Sequence, residues 1–226
     1  MTFTESVINN ATAESIANLS REGNTIYVSP VEAFGTIAAN SWIRLGYFAP
    51  GDNFYPTTNT STEQVKAQNP DGGPDIVLAE ETTEASAVYE NVAPLTPSSE
   101  ILALHTGAPG TPMTGAFAGG TISPFTIGSS ILARMMVVKK RAGASATRPQ
   151  KVFWHPRVGL QNAGTTQKEN KDVPQFRIPV LAWNGTFKTD LSAYEAAKTS
   201  LGAVFTIPDD KLDALLLALA DEGITT

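Results

Sequence analysis

The chain has 226 residues, no cysteine and 17% charged residues, a length that can bury a core without help from a disulfide or a metal. The lack of cysteine excludes a disulfide scaffold, a thiol nucleophile and a cysteine-based zinc site. The N-terminal residues lack the basic and apolar segments of a secretory signal, and no apolar run approaches the roughly 20 residues of a membrane helix.

The first third of the chain alternates between strand-like and polar segments. Residues 1–23 offer few large side chains as anchors and are predicted to form an extended arm. Residues 24–30 and 40–48 contain β-forming side chains between breakers, and both predict strands. Residues 49–74 are rich in Pro, Gly, Asn and Thr, so we expect a long loop, with room for a short strand pair inside it.

The middle of the chain predicts a strand, a helix and a second loop. Apolar residues alternate over residues 75–90, which indicates a strand. Serines and an acid at residues 97–100 precede the apolar run 101–104, a pattern typical of a short capped helix. Residues 107–120 are rich in glycine and are expected to be a loop.

The last third predicts three more strands and a helix. The strands are expected at residues 130–141, 150–154 and 173–183, and the sequence Asn184, Gly185 after the third of them indicates a tight hairpin. A proline and two acids at residues 208–210 open a helix that Gly223 ends. Its apolar face consists of Leu212, Leu215, Leu216 and Leu219.

These elements favour a mainly β fold. About eight strands in adjacent runs predict an antiparallel β-sandwich or barrel with a flanking α-helix and a short C-terminal helix. We divide the chain into the arm 1–23, a β domain over residues 24–190, and a helical extension over residues 191–226. That extension is either an external addition or a helix at a contact between subunits.

Motifs for catalysis are missing from the sequence. His105 and His155 lack the spacing of metal ligands and are better interpreted as partly buried structural residues. There is no nucleophile elbow, phosphate loop or dinucleotide fingerprint. The acid pairs at 80–81 and 209–210 are interpreted as a strand exit and a first helical turn. We therefore predict no enzymatic activity, no metal and no cofactor.

Charge is segregated along the sequence. Residues 1–130 carry three Lys or Arg and thirteen Asp or Glu, whereas residues 131–188 carry eleven and two. An acidic first half and a basic third quarter are complementary, so the basic surface of one copy can meet the acidic surface of the next in a head-to-tail assembly.

Two other interpretations of the basic segment remain open. The basic residues within 131–157 are interleaved with Phe153 and Trp154, a combination that also suits nucleic-acid binding. The pI of about 4.9 argues against this interpretation, because nucleic-acid-binding domains are generally basic. The simplest alternative is that residues 139–148 are a solvated loop.

The order of these features resembles that of the major tail (tail tube) proteins of long-tailed bacteriophages, especially those infecting actinobacteria. The resemblance lies within residues 24–188 and rests on residues 42–47, the Thr/Pro/Asn-rich stretch up to Gly72 and Gly73, residues 82–90, 101–107, 137–141 and 172–182. It implies a subunit of the virion tail, made in the host cytoplasm, of which six copies close a ring through intermolecular sheets.

The resemblance also implies how such rings are used. They stack through the loop 49–74 and the arm 1–23, with residues 101–104 as the flanking helix. Double-stranded DNA passes through the lumen without specific binding, past an acidic or neutral wall. Tape measure and tail terminator proteins are the implied partners, and no membrane is expected.

Nine residues are predicted to contact neighbouring subunits: Arg134, Lys139, Lys140, Arg141, Lys151, Tyr47, Tyr55, Asp71 and Asp75. The alternative function is that of another virion structural protein, such as a head–tail joining, terminator or decoration protein. A nucleic-acid-binding module is less favoured.

Overall fold

The computed structural model describes residues 8–9, 23–49, 51–52, 54–70, 73–122, 124, 130–140 and 149–223. The strands in this part are β1 (Ile8–Asn9), β2 (Gly23–Pro30), β3 (Trp42–Arg44), β4 (Thr57–Ala67), β5 (Ile76–Val92), β6 (Thr111–Pro112), β7 (Thr121–Ile122), β8 (Ser130–Lys140), β9 (Gln150–Lys168), β10 (Lys171–Val180) and β11 (Ala203–Ile207). The helices are α1 (Ser99–Thr106) and α2 (Leu212–Ala220), with 3-10 helices at Gly115–Phe117, Asp190–Ala197 and Asp209–Lys211. None of the helices described is long and apolar enough to span a membrane.

One large sheet organises the molecule. Its strand order is β1-β3-β2-β8-β9-β10-β5-β4, and β11 pairs with the first residues of β9. All pairs are antiparallel except β1 with β3, where two residues of the predicted arm join the sheet edge; the rest of residues 1–22 lie outside the described part. Most of the described residues in regular structure lie in antiparallel strands, with a few short helices, and the predicted fold class is confirmed.

The main core lies on one face of the sheet. Alternation along β2 and β8 directs Ile26, Met135 and Val137 to this face, where they are fully buried. The helix α1 adds Ile101 and Leu104. Its predicted N-terminal cap is confirmed, because the Ser98 side chain accepts a hydrogen bond from the Ile101 amide.

A second core covers the opposite face. Here the alternate positions Met136 and Val138 of β8, with Trp154 of β9, pack against the C-terminal residues. The leucines predicted to share a face of the last helix are all buried there: Leu212, Leu215, Leu216 and Leu219. Each contributes about 2 kcal/mol of hydrophobic stabilisation. Residues 191–223 are therefore a layer of the fold and not an external addition.

The loop expected over residues 49–74 contains an eleven-residue strand instead. β4 pairs with β5 along its whole length, from Thr57 opposite Val88 to Ala67 opposite Ile76. The prolines and glycines that suggested a loop flank β4, and its interior is rich in threonine, which favours strands. The second loop, over residues 107–120, holds β6 and a single 3-10 turn.

The hairpin expected at Asn184 and Gly185 does not form. β10 ends at Val180, and residues 181–188 contain no strand. The rings of Trp183 and Phe187 both pack on Trp154, at centroid distances of 5.7 and 5.2 Å, so the segment is held by the second core and does not pair with itself.

Candidate subunit interface

The hairpin formed by β4 and β5 projects from the sheet. β10 pairs with β5 only between Ala87 and Val92, and among the residues described only β4 pairs with residues 76–86. At 3.4 Å per residue this two-stranded part is roughly 35 Å long. A ribbon of two strands is marginally stable in water by itself, so we expect another surface to cover it.

The tip of this hairpin is apolar and exposed. Val65 of β4 is 58% exposed, and Ile76, Val77 and Leu78 of β5 are 46%, 46% and 65% exposed. Because consecutive side chains of a strand point to opposite faces, the run 76–78 makes both faces of the ribbon apolar. Exposed apolar residues on both faces of a projecting ribbon indicate contact with another protein surface.

The same hairpin is acidic. Residues 57–92 carry seven Asp or Glu and one Lys. Glu63 and Glu81 occupy directly opposite register positions. Asp75, a predicted contact residue, is exposed immediately before β5, whereas Asp71 lies outside the described residues.

Two of the predicted lysines face each other at the end of the sheet. Lys139 of β8 is directly opposite Lys151 of β9, on the side of the main core. The Lys139 Nζ lies 2.9 Å from the centroid of the Tyr55 ring, which in turn packs edge-on against Phe153. Burial, and secondarily the charge of Lys151, lowers the pKa of Lys139 to about 8. We call Lys139 and Lys151 the basic rim.

Lys140 points to the other side of the sheet. Its Nζ lies 3.6 Å from the Asp209 carboxylate, which also accepts a hydrogen bond from the Gln150 side chain at 3.1 Å. The charge of Lys140 is thus partly neutralised within the chain. Arg141 lies outside the described residues.

Arg134 is not a surface residue, contrary to its predicted place at an interface. It occupies the same side of β8 as Met136 and Val138, and α2 covers it completely. Its guanidinium donates to the carbonyls of Ala220 and Glu222 at 2.8 and 2.7 Å. Further acceptors are the Ser29 hydroxyl at 3.0 Å and the Asn40 carbonyl at 3.1 Å.

The role of Arg134 is to anchor the end of α2. A cation at a helix C-terminus satisfies carbonyls that lack a partner within the helix and interacts favourably with the helix dipole. Burial lowers the pKa of Arg134 to about 10, an effect that the Asp221 carboxylate opposes, so the group remains charged near neutral pH.

Tyr47 lies in the segment that follows β3. It is 39% exposed, and the guanidinium of Arg44 lies 4.3 Å from the centroid of its ring. Of the two predicted tyrosines, Tyr55 thus packs on the basic rim and Tyr47 packs on Arg44.

A buried polar pair joins the base of the hairpin to the sheet. The Tyr89 hydroxyl donates to Nε2 of His155 at 2.7 Å, because Nδ1 of His155 donates to the Leu201 carbonyl, also at 2.7 Å. Burial lowers the pKa of His155 to about 4 and raises that of Tyr89. No local pattern indicates this pair, since its members are 66 positions apart.

One open cavity of about 470 Å³ lies between α1, the turn over residues 34–37 and residues 109–112. Its lining is mainly apolar, with Glu100 at the rim. Hydrogen bonds from Ser98 and from its own backbone lower the pKa of Glu100, as expected of a carboxylate in the first turn of a helix. Among the residues described, no cluster of His, Asp or Glu is suited to hold a metal ion.

Comparison with known proteins gives no relative. No protein-family model matches the sequence, and a search of curated proteins finds no match. The resemblance to tail tube proteins therefore stays a prediction from the order of sequence features.

Proposed function

We propose that the protein is a non-enzymatic structural subunit that assembles with copies of itself into stacked hexameric rings, as the tail tube of a long-tailed bacteriophage. The observation that carries the proposal is the β4–β5 hairpin. It projects as a two-stranded ribbon and exposes apolar side chains on both faces of its tip, at Val65 and at Ile76, Val77 and Leu78. Each of these side chains keeps about half or more of its surface exposed in a single chain, and a stack of copies would bury it.

Two sheet edges support the closing of a ring. β11 pairs only with β9, and β4 only with β5, in the part of the chain that the structure describes. An edge strand presents unpaired backbone groups that can continue the sheet into a second chain. Val204, 58% exposed on β11, places an apolar side chain at one of these edges.

The remainder of the fold supplies a rigid platform for such contacts. Cores on both faces of the sheet hold β8 and β9, which carry the basic rim, and the main core holds Ala87, Tyr89 and Val92 at the base of the hairpin. The net charge of −6 suits a conduit through which DNA slides without adhering. Tape measure and tail terminator proteins are the partners that the proposal includes, and the virion tail is the proposed location.

The structure makes a nucleic-acid-binding module a weaker alternative. Phe153 and Trp154, which would have to stack on bases, are 9% and 0% exposed. Arg134 is buried and Lys140 lies beside Asp209. Fewer cations are therefore available to phosphates than the sequence alone indicated.

The test is the oligomeric state of the purified protein, by light scattering coupled to size exclusion and by negative-stain electron microscopy. We expect rings and hollow tubes from the wild type. In a matched variant, residues 61–84 are replaced by Asn-Gly, which closes the hairpin at Thr60 and Ala85, an opposed pair of its base. This variant should be a folded protein that forms no tubes. A wild type that stays monomeric at millimolar concentration would overturn the proposal.

A further inference from the structure

Asn184 and Gly185 form a turn signal in the sequence that the fold does not use for a hairpin. They lie within residues 181–188, which follow β10 and contain no strand. Asn184 is exposed, and Gly185 is partly buried. In the part of the chain that the structure describes, neither the Asn184 side chain nor the Gly185 amide takes part in a hydrogen bond. Both groups are therefore open to reaction with each other and with water.

Packing requires a glycine after Asn184. A Cβ atom on residue 185 would overlap the indole ring of Trp183, which leaves no room for a side chain at this position. Glycine is also the residue that hinders an attack by its own backbone nitrogen least, because it carries no Cβ. The contact with Trp183 thus keeps beside Asn184 the neighbour with which an asparagine side chain reacts most readily.

The reaction open to this pair is the loss of ammonia from Asn184. A base takes the proton of the Gly185 amide, and the amide nitrogen bonds to Cγ of Asn184. The Cγ–Nδ2 bond breaks, and Nδ2 takes up a proton and leaves as ammonia, so that a succinimide ring remains. Water then opens the ring at one of its carbonyls and gives either aspartate or isoaspartate, in which the main chain runs through Cγ. Water and a base are the only other reactants.

We propose that Asn184 is a modification site, at which the folded chain loses ammonia and forms aspartate and isoaspartate. This inference is independent of the proposed function. Asparagine is among the thermolabile residues, but its surroundings decide how readily it reacts. Three other asparagines, Asn24, Asn91 and Asn162, have side chains held by hydrogen bonds, and each precedes a residue that carries a side chain.

Isoaspartate at position 184 disturbs the second core. The rings of Trp183 and Phe187 pack on the same indole ring of β9, at centroid distances of 5.7 and 5.2 Å. The Trp183 amide donates to the Ser200 carbonyl at 2.8 Å. The Phe187 amide donates to the Glu195 carboxylate at 2.9 Å. Isoaspartate adds one methylene to the main chain between these two fixed points, so at least one of the rings has to move.

The test is a time course on the purified full chain, kept folded at mildly alkaline pH and followed by peptide mapping with mass spectrometry. Loss of the amide at Asn184 should be at least about tenfold faster than at Asn170, a ratio that corresponds to about 1.4 kcal/mol in activation free energy. Asn170 is the internal control, because it is exposed in a turn but precedes Lys171. Equal rates at the two positions, or an Asn184 that reacts only after denaturant has unfolded the chain, would overturn the proposal.

Two variants separate the added charge from the longer main chain. Asn184→Asp carries the charge of the product with a normal main chain, and should unfold at the temperature of the fresh wild type. Wild type enriched in isoaspartate by chromatography should unfold about 2–4 °C lower. Asn184→Gln, incubated alongside, should keep its unfolding temperature. An isoaspartate form as stable as the fresh protein, or an equal loss in the Asn184→Gln sample, would contradict the effect on the second core.

Discussion

The helix α2 and the tip of the β4–β5 hairpin are both apolar, yet α2 is buried and the hairpin tip is exposed. Four leucines of α2, Leu212, Leu215, Leu216 and Leu219, are buried to 6% exposure or less, whereas the aliphatic residues of the hairpin tip are 46–65% exposed. α2 has a receiving surface in its own chain, built from Trp154 and its neighbours, and an anchor in Arg134. Among the described residues, the hairpin tip has neither. The apolar residues of α2 close the fold, and those at the end of the projecting ribbon stay exposed.

The largest effect is expected at the anchor. Replacing Arg134 by Met leaves the carbonyls of Ala220 and Glu222 buried without a donor, and should lower the free energy of unfolding by about 3 kcal/mol. Lys140→Met, at the end of the same strand, is the control, with an expected loss below about 1 kcal/mol, because the ion pair with Asp209 is partly exposed. Denaturant titration measures both. Similar losses at the two positions would argue against the anchor.

The contrast between α2 and the hairpin tip is tested by replacing one leucine with alanine in each region. Leu219→Ala in α2 should cost about 3 kcal/mol, since the side chain is fully buried. Leu78→Ala at the hairpin tip should change the stability of the monomer by less than about 0.5 kcal/mol, since the side chain is 65% exposed. The second variant should nevertheless assemble less well than the wild type. A large loss of monomer stability from Leu78→Ala would show that the tip packs within its own chain.

Acid should weaken the junction between hairpin and sheet. The pKa of His155 in the folded protein is about 4, below the ordinary 6.5, so the unfolded chain takes up the proton first. Stability from this source is complete above pH 6.5 and falls as the pH drops toward 4, by on the order of 2–3 kcal/mol. Unfolding measured from pH 7 to pH 4 should show this slope in the wild type, and His155→Gln should flatten it. An unchanged slope in that variant would assign the acid sensitivity to other groups.

The smallest effect is expected where the hairpin begins. Tyr55→Ala removes the ring that lies against Lys139 and should cost about 0.5–1 kcal/mol, as for a cation–π contact at a partly exposed site. Tyr47→Ala, at the ring that stacks on Arg44, is a matched control for monomer stability. Only the Tyr55 variant should also raise the pKa of Lys139, since it opens that amine to water. Amine-modification rates as a function of pH would report this change.

Much of the sheet and both helices follow from local sequence. Alternating apolar residues located β2 and β8, Ser98 marked the start of α1, and four leucines marked the face of α2. The strand β4 could not be found this way, because it is mostly polar and owes its conformation to pairing with β5. The hairpin predicted at Asn184 and Gly185 does not form, because the aromatic side chains on either side of these residues pack into the second core.

The candidate site was harder to predict, because it depends on which strands are neighbours. Lys139 and Lys151 are opposed only when β8 pairs with β9, and the Tyr55 ring that lies against Lys139 comes from a distant part of the chain. Alternation alone would have placed Arg134 with Met136 and Val138, away from the surface. Local sequence could not show that α2 covers the side of β8 that carries Arg134. The carbonyls that accept hydrogen bonds from Arg134 lie 86 and 88 residues farther along the chain.

The separation along the chain between Arg134 and its acceptors fixes the order in which this part of the fold forms during synthesis. Arg134 and the apolar residues around it emerge from the ribosome long before Ala220 and Glu222 are made, while domains generally fold from the N-terminal side as they appear. The second face of the sheet therefore stays open until residue 222 has been added. A chain cut before residue 212 would leave Arg134 without the carbonyls of Ala220 and Glu222 and would leave the apolar residues beside it uncovered.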